Sequence, residues 1–132
     1  MRPLVIVDSA NVVGSRPDGW WRDRAGAARR LLEELRGYPG DAELVLVTEG
    51  RARIAPPDGN HGPDGRVTVV HAPGSGDDRI VELVAGAVAA GPGRSVTVVT
   101  ADRGLRDRVT ALGAATVGPR WLWDRLDRPD PT

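Results

Sequence analysis

Four short Val-rich runs punctuate this chain, and each of them stops at or shortly before acidic residues. Leu4-Val5-Ile6-Val7 runs into Asp8, and Leu44-Val45-Leu46-Val47-Thr48 into Glu49. Val67-Thr68-Val69-Val70-His71 is followed, after a short glycine loop, by Asp77 and Asp78. Val96 to Ala101 meets Asp102. Runs this short and this β-branched are strands rather than buried helices. Three are nearly continuous in apolar or Thr character, the mark of strands covered on both faces, as in a parallel sheet. Ala114-Ala115-Thr116-Val117, following Gly113, is a weaker fifth candidate.

Between the strands the hydrophobic period lengthens to that of a helix. Trp21, Ala25, Ala28, Leu31, Leu32 and Leu35 recur at helical spacing, until Gly37 and Pro39 stop the helix. This stripe makes Trp21 a core residue. A second helix is predicted from Asp77 to Ala90, a third from Arg103 to Leu112 with Leu105 and Val109 inward, and a fourth from Pro119 to Leu126. Arg51 to Arg66 has no periodicity and carries two turn clusters, Pro56-Pro57-Asp58-Gly59-Asn60 and Gly62-Pro63-Asp64-Gly65. It reads as a crossover loop with little or no helix. Right-handed crossovers turn this order into a three-layer α/β/α sandwich, Rossmann-like, around a parallel sheet of four to five strands in the order 3-2-1-4-5. One domain is expected over 1–126, with a charged, Pro-rich tail at 127–132.

Composition narrows the chemistry. At 132 residues the chain is long enough to bury a core without staples. Having no Cys, it has no thiolate nucleophile and no Cys-bound zinc, which suits a reducing cytoplasm. The opening apolar run is too short for a signal core or a membrane span, so a cytoplasmic protein is expected. Net charge is zero, and bulk charge therefore announces no nucleic-acid partner. All 18 basic side chains are Arg, which excludes any mechanism that requires Lys.

In a parallel sheet all four acidic points fall on the carboxyl edge, where ligands of open α/β sheets bind. Asp8 leaves the first central strand at the point where strand order reverses. Asn11, one turn later, is placed to hydrogen-bond the Asp8 carboxylate and hold its orientation. Each acid also has a plainer reading: Asp8, Asp77 or Asp78, and Asp102 all stand where a helix N-cap is common. Glu49 is the weakest member of the set, Asp107 and Glu82 read as solvated, and His61 and His71 are isolated. Two carboxylates about 5 Å apart repel by roughly 3 kcal/mol at an effective dielectric near 20. Several together share a proton or bind a cation. Oxygen-only donors suit Mg²⁺ or Mn²⁺, and such an ion supports phosphodiester hydrolysis by metal-activated water.

These residues together resemble the NYN domain family of PIN-like nucleases, and its YacP-like subgroup in particular, over nearly the whole chain. Asp8-Ser9-Ala10-Asn11 is similar to the family's Asp-Gly-x-Asn signature, with Ser9 in place of Gly. Gly76-Asp77-Asp78-Arg79-Ile80 resembles its central helix start, and Thr100-Ala101-Asp102-Arg103 its Thr/Ser-x-Asp-x strand end. Glu49 stands where a less constant acid follows the second strand. The resemblance implies a PIN-like fold and Mg²⁺- or Mn²⁺-dependent cleavage of RNA. Asp8, Asp77, Asp78 and Asp102 would bind metal, joined in some members by an acid at the position of Glu49, and Asn11 would support them.

A single-stranded RNA substrate also has to be held. Arg16, Trp20, Arg22 and Arg24 follow the first motif, and Arg79 and Arg103 lie beside Asp78 and Asp102. Guanidinium groups pair with phosphates, and an indole stacks on an unpaired base. Arg120, Trp121 and Trp123 read as packing. A homodimer or a protein partner supplying further basic surface stays open. The alternative of another class is a PIN-like RNA-binding or interaction domain without turnover. Phosphotransfer receivers and haloacid-dehalogenase-like phosphatases share the acidic edge, but both normally use a Lys, and the phosphatases need an Asp where Ala10 stands.

Overall fold

The first strand, β1 (Leu4–Asp8), is buried along its whole length, and its side chains alternate between two separate cores. Val5 and Val7 face one of them, with Val12, Leu31, Leu35, Leu46 and Leu122. Leu4 and Ile6 face the other, with Val47, Ile80, Val84, Leu105 and Val109. A strand with period-two side chains and apolar residues at four successive positions, Leu4 to Val7, has to be covered on both sides. The computed structural model describes residues 2–53, 59–61, 66–91 and 93–127.

The remaining elements are α1 (Ser9–Val13), α2 (Arg24–Leu35), β2 (Glu43–Thr48), β3 (Gly59–His61), β4 (Val67–His71), α3 (Gly76–Ala90), β5 (Val96–Val99), α4 (Arg103–Thr110), β6 (Ala115–Val117) and α5 (Pro119–Asp127). Single 3-10 turns occupy Trp20–Arg22 and Gly50–Ala52. The sheet runs β3-β4-β2-β1-β5-β6. Its five parallel strands, β4-β2-β1-β5-β6, stand in the expected order 3-2-1-4-5, and helices flank both faces. Residues of α1, α2 and α5 close the first core, and residues of α3 and α4 the second.

The structure adds to the expected crossover between β2 and β4. Gly59–His61 pairs antiparallel with β4, with Gly59 opposite Val69 and His61 opposite Val67. The Pro-rich turn clusters lie largely outside the described residues. Trp21 also departs from expectation: it is 54% exposed and sits on the 3-10 turn before α2. The helix begins only at Arg24, because Asp23 caps it, its Oδ1 accepting the Gly26 N–H at 2.9 Å. A Cβ at Gly26 would stand 2.2 Å from Asp23 Oδ2, so the cap depends on a glycine there.

Register then sets the carboxyl edge. Asp8 pairs with Val47, placing it beside the end of β2, and Val7 pairs with Val99, placing Thr100 level with Asp8. Among the described residues no helix is long and apolar enough to cross a membrane.

Candidate active site at the carboxyl edge of the sheet

Asp8 is 5% exposed, an unusual position for a carboxylate. Two hydrogen bonds reach its carboxylate. Thr100 Oγ1 donates to its Oδ2 at 3.0 Å, the Asn11 backbone N–H donates to its Oδ1 at 3.4 Å, and no ion pair reaches it among the described residues. Burial pushes its carboxyl up to about 6, and the negative charges of Asp77 and Glu49 add to that rise. The two hydrogen bonds oppose the rise without cancelling it.

Asn11 supports this arrangement by a different route from the one expected. Its backbone, not its side chain, contacts Asp8. The side-chain Oδ1 instead accepts the Ala101 N–H at 2.8 Å, tying α1 to the loop that carries Asp102. Thr100 links the same two acids: its Oγ1 donates to Asp8 and accepts the Asp102 N–H at 3.2 Å. Arg106 Nε donates to Thr100 O at 2.8 Å and holds the loop from α4.

Asp77 and Glu49 complete the group. Asp77, in the first turn of α3, is half-buried, and its carboxyl is raised above the usual range. Burial is the largest cause, followed by the charges of Asp102, Glu49 and Asp78, with Arg108 opposing them. Glu49 is more deeply integrated than its strand-exit position suggested. Its Oε2 accepts the Gly76 N–H at 3.2 Å, so an acid from β2 satisfies the start of α3. A Cβ at Gly76 would lie 2.9 Å from Glu49 Oε1, so this approach favours glycine.

The plainer capping role is real for two of the acids. Asp8 caps α1, and Asp102 Oδ1 caps α4 by accepting the Leu105 N–H at 2.9 Å. Asp77 and Asp78 cap nothing, because Ser75 holds the cap position of α3 without a side-chain bond. Asp78 turns outward and pairs with Arg108 at 3.0 Å, while Asp77, its neighbour, stays with the cluster. As they stand, no three acidic or histidine groups among the described residues converge closely enough to hold a metal ion. The donor set itself is all oxygen, the chemistry of a hard divalent cation.

The expected RNA-binding residues divide into engaged and open groups. Arg16 is committed to α5: it pairs with Asp127 at 2.7 Å and stacks 3.6 Å over the Trp123 ring. Arg79 pairs with Glu82 at 3.2 Å. Arg22 and Arg24 lie over Trp21 and Trp20, 5.8 and 5.4 Å from the ring centroids. Arg103 is exposed beside Asp102. Trp121 and Trp123 pack against the first core, as expected. Thr100 and Arg108 are the residues the sequence reading passed over. Thr100 did stand in a quoted motif, whereas nothing local distinguishes Arg108 from the other arginines.

The sequence matches no protein-family model and no curated protein. In three dimensions the chain is similar to the crystal structure of Rae1 (YacP) from Bacillus subtilis, with a TM-score of 0.77 and 18% identity, over 96% of this chain and 74% of that one. A tryptophan-to-leucine variant of the same protein gives a TM-score of 0.73 and 17% identity, over 95% and 75% of the two chains. The architecture is thus a YacP-like α/β fold with an acidic carboxyl edge.

Proposed function

We propose that the chain is a metal-dependent ribonuclease, hydrolysing phosphodiester bonds of single-stranded RNA at the carboxyl edge. One observation carries the reading: Asp8, Glu49, Asp77 and Asp102 share this edge without an ion pair among the described residues, and burial, with their mutual repulsion added, raises Asp8 and Asp77. A protein tolerates such a group when a cation or a shared proton answers the charge. Asp8, Asp77 and Asp102 would hold Mg²⁺ or Mn²⁺, with Glu49 beside them. Asp78, turned to Arg108, stands outside this set. When bound there, such an ion would supply an activated water and neutralise charge growing on the phosphate.

The chain's own contribution is positional. Thr100 and Asn11 hold the Asp8 carboxylate and the Asp102 loop in one frame. The YacP-like fold supports the family resemblance carried by the three acidic motifs. The test is cleavage of labelled single-stranded RNA with Mn²⁺. Asp8→Asn and Asp77→Asn are expected to abolish it while circular dichroism stays native; undiminished cleavage in both would overturn the reading.

A second reading, an RNA-binding domain without turnover, is favoured by the caps that Asp8 and Asp102 provide and by the lack of three converging acids among the described residues. RNA binding in chelator, with no cleavage under either metal, would select it.

A further inference from the structure

Ser9 Oγ is a buried side-chain polar atom with no hydrogen-bond partner among the described residues. Its residue is 1% exposed. Burying a hydroxyl unpaired is unfavourable, so such an atom calls for a partner from outside the chain or another physical reason. Ser9 lines a cavity of about 340 Å³ directly beside Asp8, at the small end of the range for ligand pockets. Val13 and Ala52 line it with apolar groups, Trp20 with an indole, and Glu49 with a carboxylate. Arg24 stands at its rim, over the Trp20 ring at 5.4 Å, near the outer limit of cation–π attraction and therefore free to turn to another anion.

A second cleft of about 380 Å³ continues from the first, sharing Arg24 and Gly50 with it. Trp21, Arg22 and Arg51 complete its lining. None of Arg22, Arg24 and Arg51 forms an ion pair among the described residues. The two clefts thus run from a pocket lined by apolar groups, an indole, Ser9 and Glu49 to an arginine-lined groove. That is the layout of a site for one unpaired base followed by its phosphates.

We propose that this pocket is a nucleobase subsite for single-stranded RNA, in which one base stacks on Trp20, hydrogen-bonds Ser9 Oγ and donates to Glu49, while Arg22, Arg24 and Arg51 carry the adjoining backbone. The subsite rests on the ribonuclease reading for its substrate class, but not for turnover. Glu49 accepts only, so the base presents a ring N–H or an exocyclic amine to it.

Binding measured in chelator separates the subsite from catalysis. The probe is a short labelled single-stranded RNA of mixed sequence, followed by fluorescence anisotropy. Ser9→Ala is expected to weaken binding about fivefold to tenfold without lowering Tm, since the orphan hydroxyl contributes no internal bond. Trp20→Leu is expected to weaken it about tenfold or more, and Trp20→Phe to retain most of it. An oligomer of the same length with abasic riboses should bind both Ser9 forms alike.

Equal affinity of wild type and Ser9→Ala for the base-bearing RNA, or no RNA binding at all, overturns the subsite. So does a lowered Tm in Ser9→Ala, which would assign the hydroxyl a structural partner. Cleavage with Mn²⁺ but no effect of these variants on binding leaves the nuclease standing and removes the subsite. Loss of binding in the variants of a protein that cleaves nothing does the reverse.

Discussion

A glutamate opens strand β2 and another follows directly after its last residue, and the two ends of the sheet treat them oppositely. At the amino edge, Glu43 is met by Arg94, whose Nε also donates to Arg2 O at 2.8 Å. Beside them, Arg66 reaches across to Tyr38 O at 2.8 Å and to Gly40 O, binding the start of β4 to the turn after α2. At the carboxyl edge, just past the end of the same strand, Glu49 accepts a backbone N–H and, among the described residues, lies within electrostatic reach of the Asp8 and Asp77 carboxylates without an ion pair. Charges that serve the fold are paired and tie elements together. Charges left facing one another destabilise the fold, and that cost is retained where binding uses it.

The largest measurable consequence lies in Asp8. Its carboxyl is pushed up to about 6 in the folded chain, against 3.8 for an ordinary aspartate. The folded state therefore binds the proton more tightly than the unfolded state, and stability falls as pH rises between those values. Above about pH 6 the full cost applies, about 3 kcal/mol at 1.36 kcal/mol per unit. Asp8→Asn removes that dependence. Relative to wild type, the variant should gain up to about 3 kcal/mol between about pH 4 and pH 7 in urea denaturation. A constant difference across that range would mean that Asp8 is not desolvated. Mn²⁺ should reduce the gap by stabilising wild type above pH 6, and should do little for the variant.

The amino edge should respond in the opposite sense. Arg94→Ala is expected to destabilise by about 1–2 kcal/mol, because a half-buried Glu43 and the Arg2 carbonyl both lose a donor. Arg94 lies far from the acidic motifs in the sheet, so RNA cleavage per folded molecule should not change. A variant with wild-type stability would break the contrast between the two edges.

The smallest effect is at the boundary of the cluster. Arg108 pairs with Asp78, both well exposed, and it is the cation that lowers Asp77. Arg108→Ala should cost no more than about 0.5–1 kcal/mol. It should nevertheless raise the Asp77 carboxyl further, which NMR titration of the side-chain carbonyl would read directly. An unmoved Asp77 would detach Arg108 from the site.

How much was legible beforehand follows from how local each signal is. The strands were readable because burial on both faces demands continuous apolar runs, and the helices because their stripes repeat. Strand β3 was not readable, since the sequence Gly59-Asn60-His61 carries no strand-like pattern. Trp21 matched a helical stripe by spacing, but the Asp23 cap starts the helix after it. Among the site residues, Asp8, Asp77 and Asp102 were visible as strand-end and helix-start acids. The rank of Glu49 was not visible, because its link to Gly76 spans two elements. The side-chain route of Asn11, the bridging by Thr100 and the parting of Asp77 from Asp78 were equally hidden.

The sequence alone determined a doubly covered parallel sheet, its strand order, and acidic residues at each carboxyl end, since these follow from periodicity and chain direction. Only the tertiary structure decided which acids face one another, which arginines are already engaged, and that Ser9, next to Asp8, keeps a hydroxyl without a partner among the described residues. Pattern is a property of neighbours along the chain, whereas desolvation and charge repulsion depend on neighbours in space.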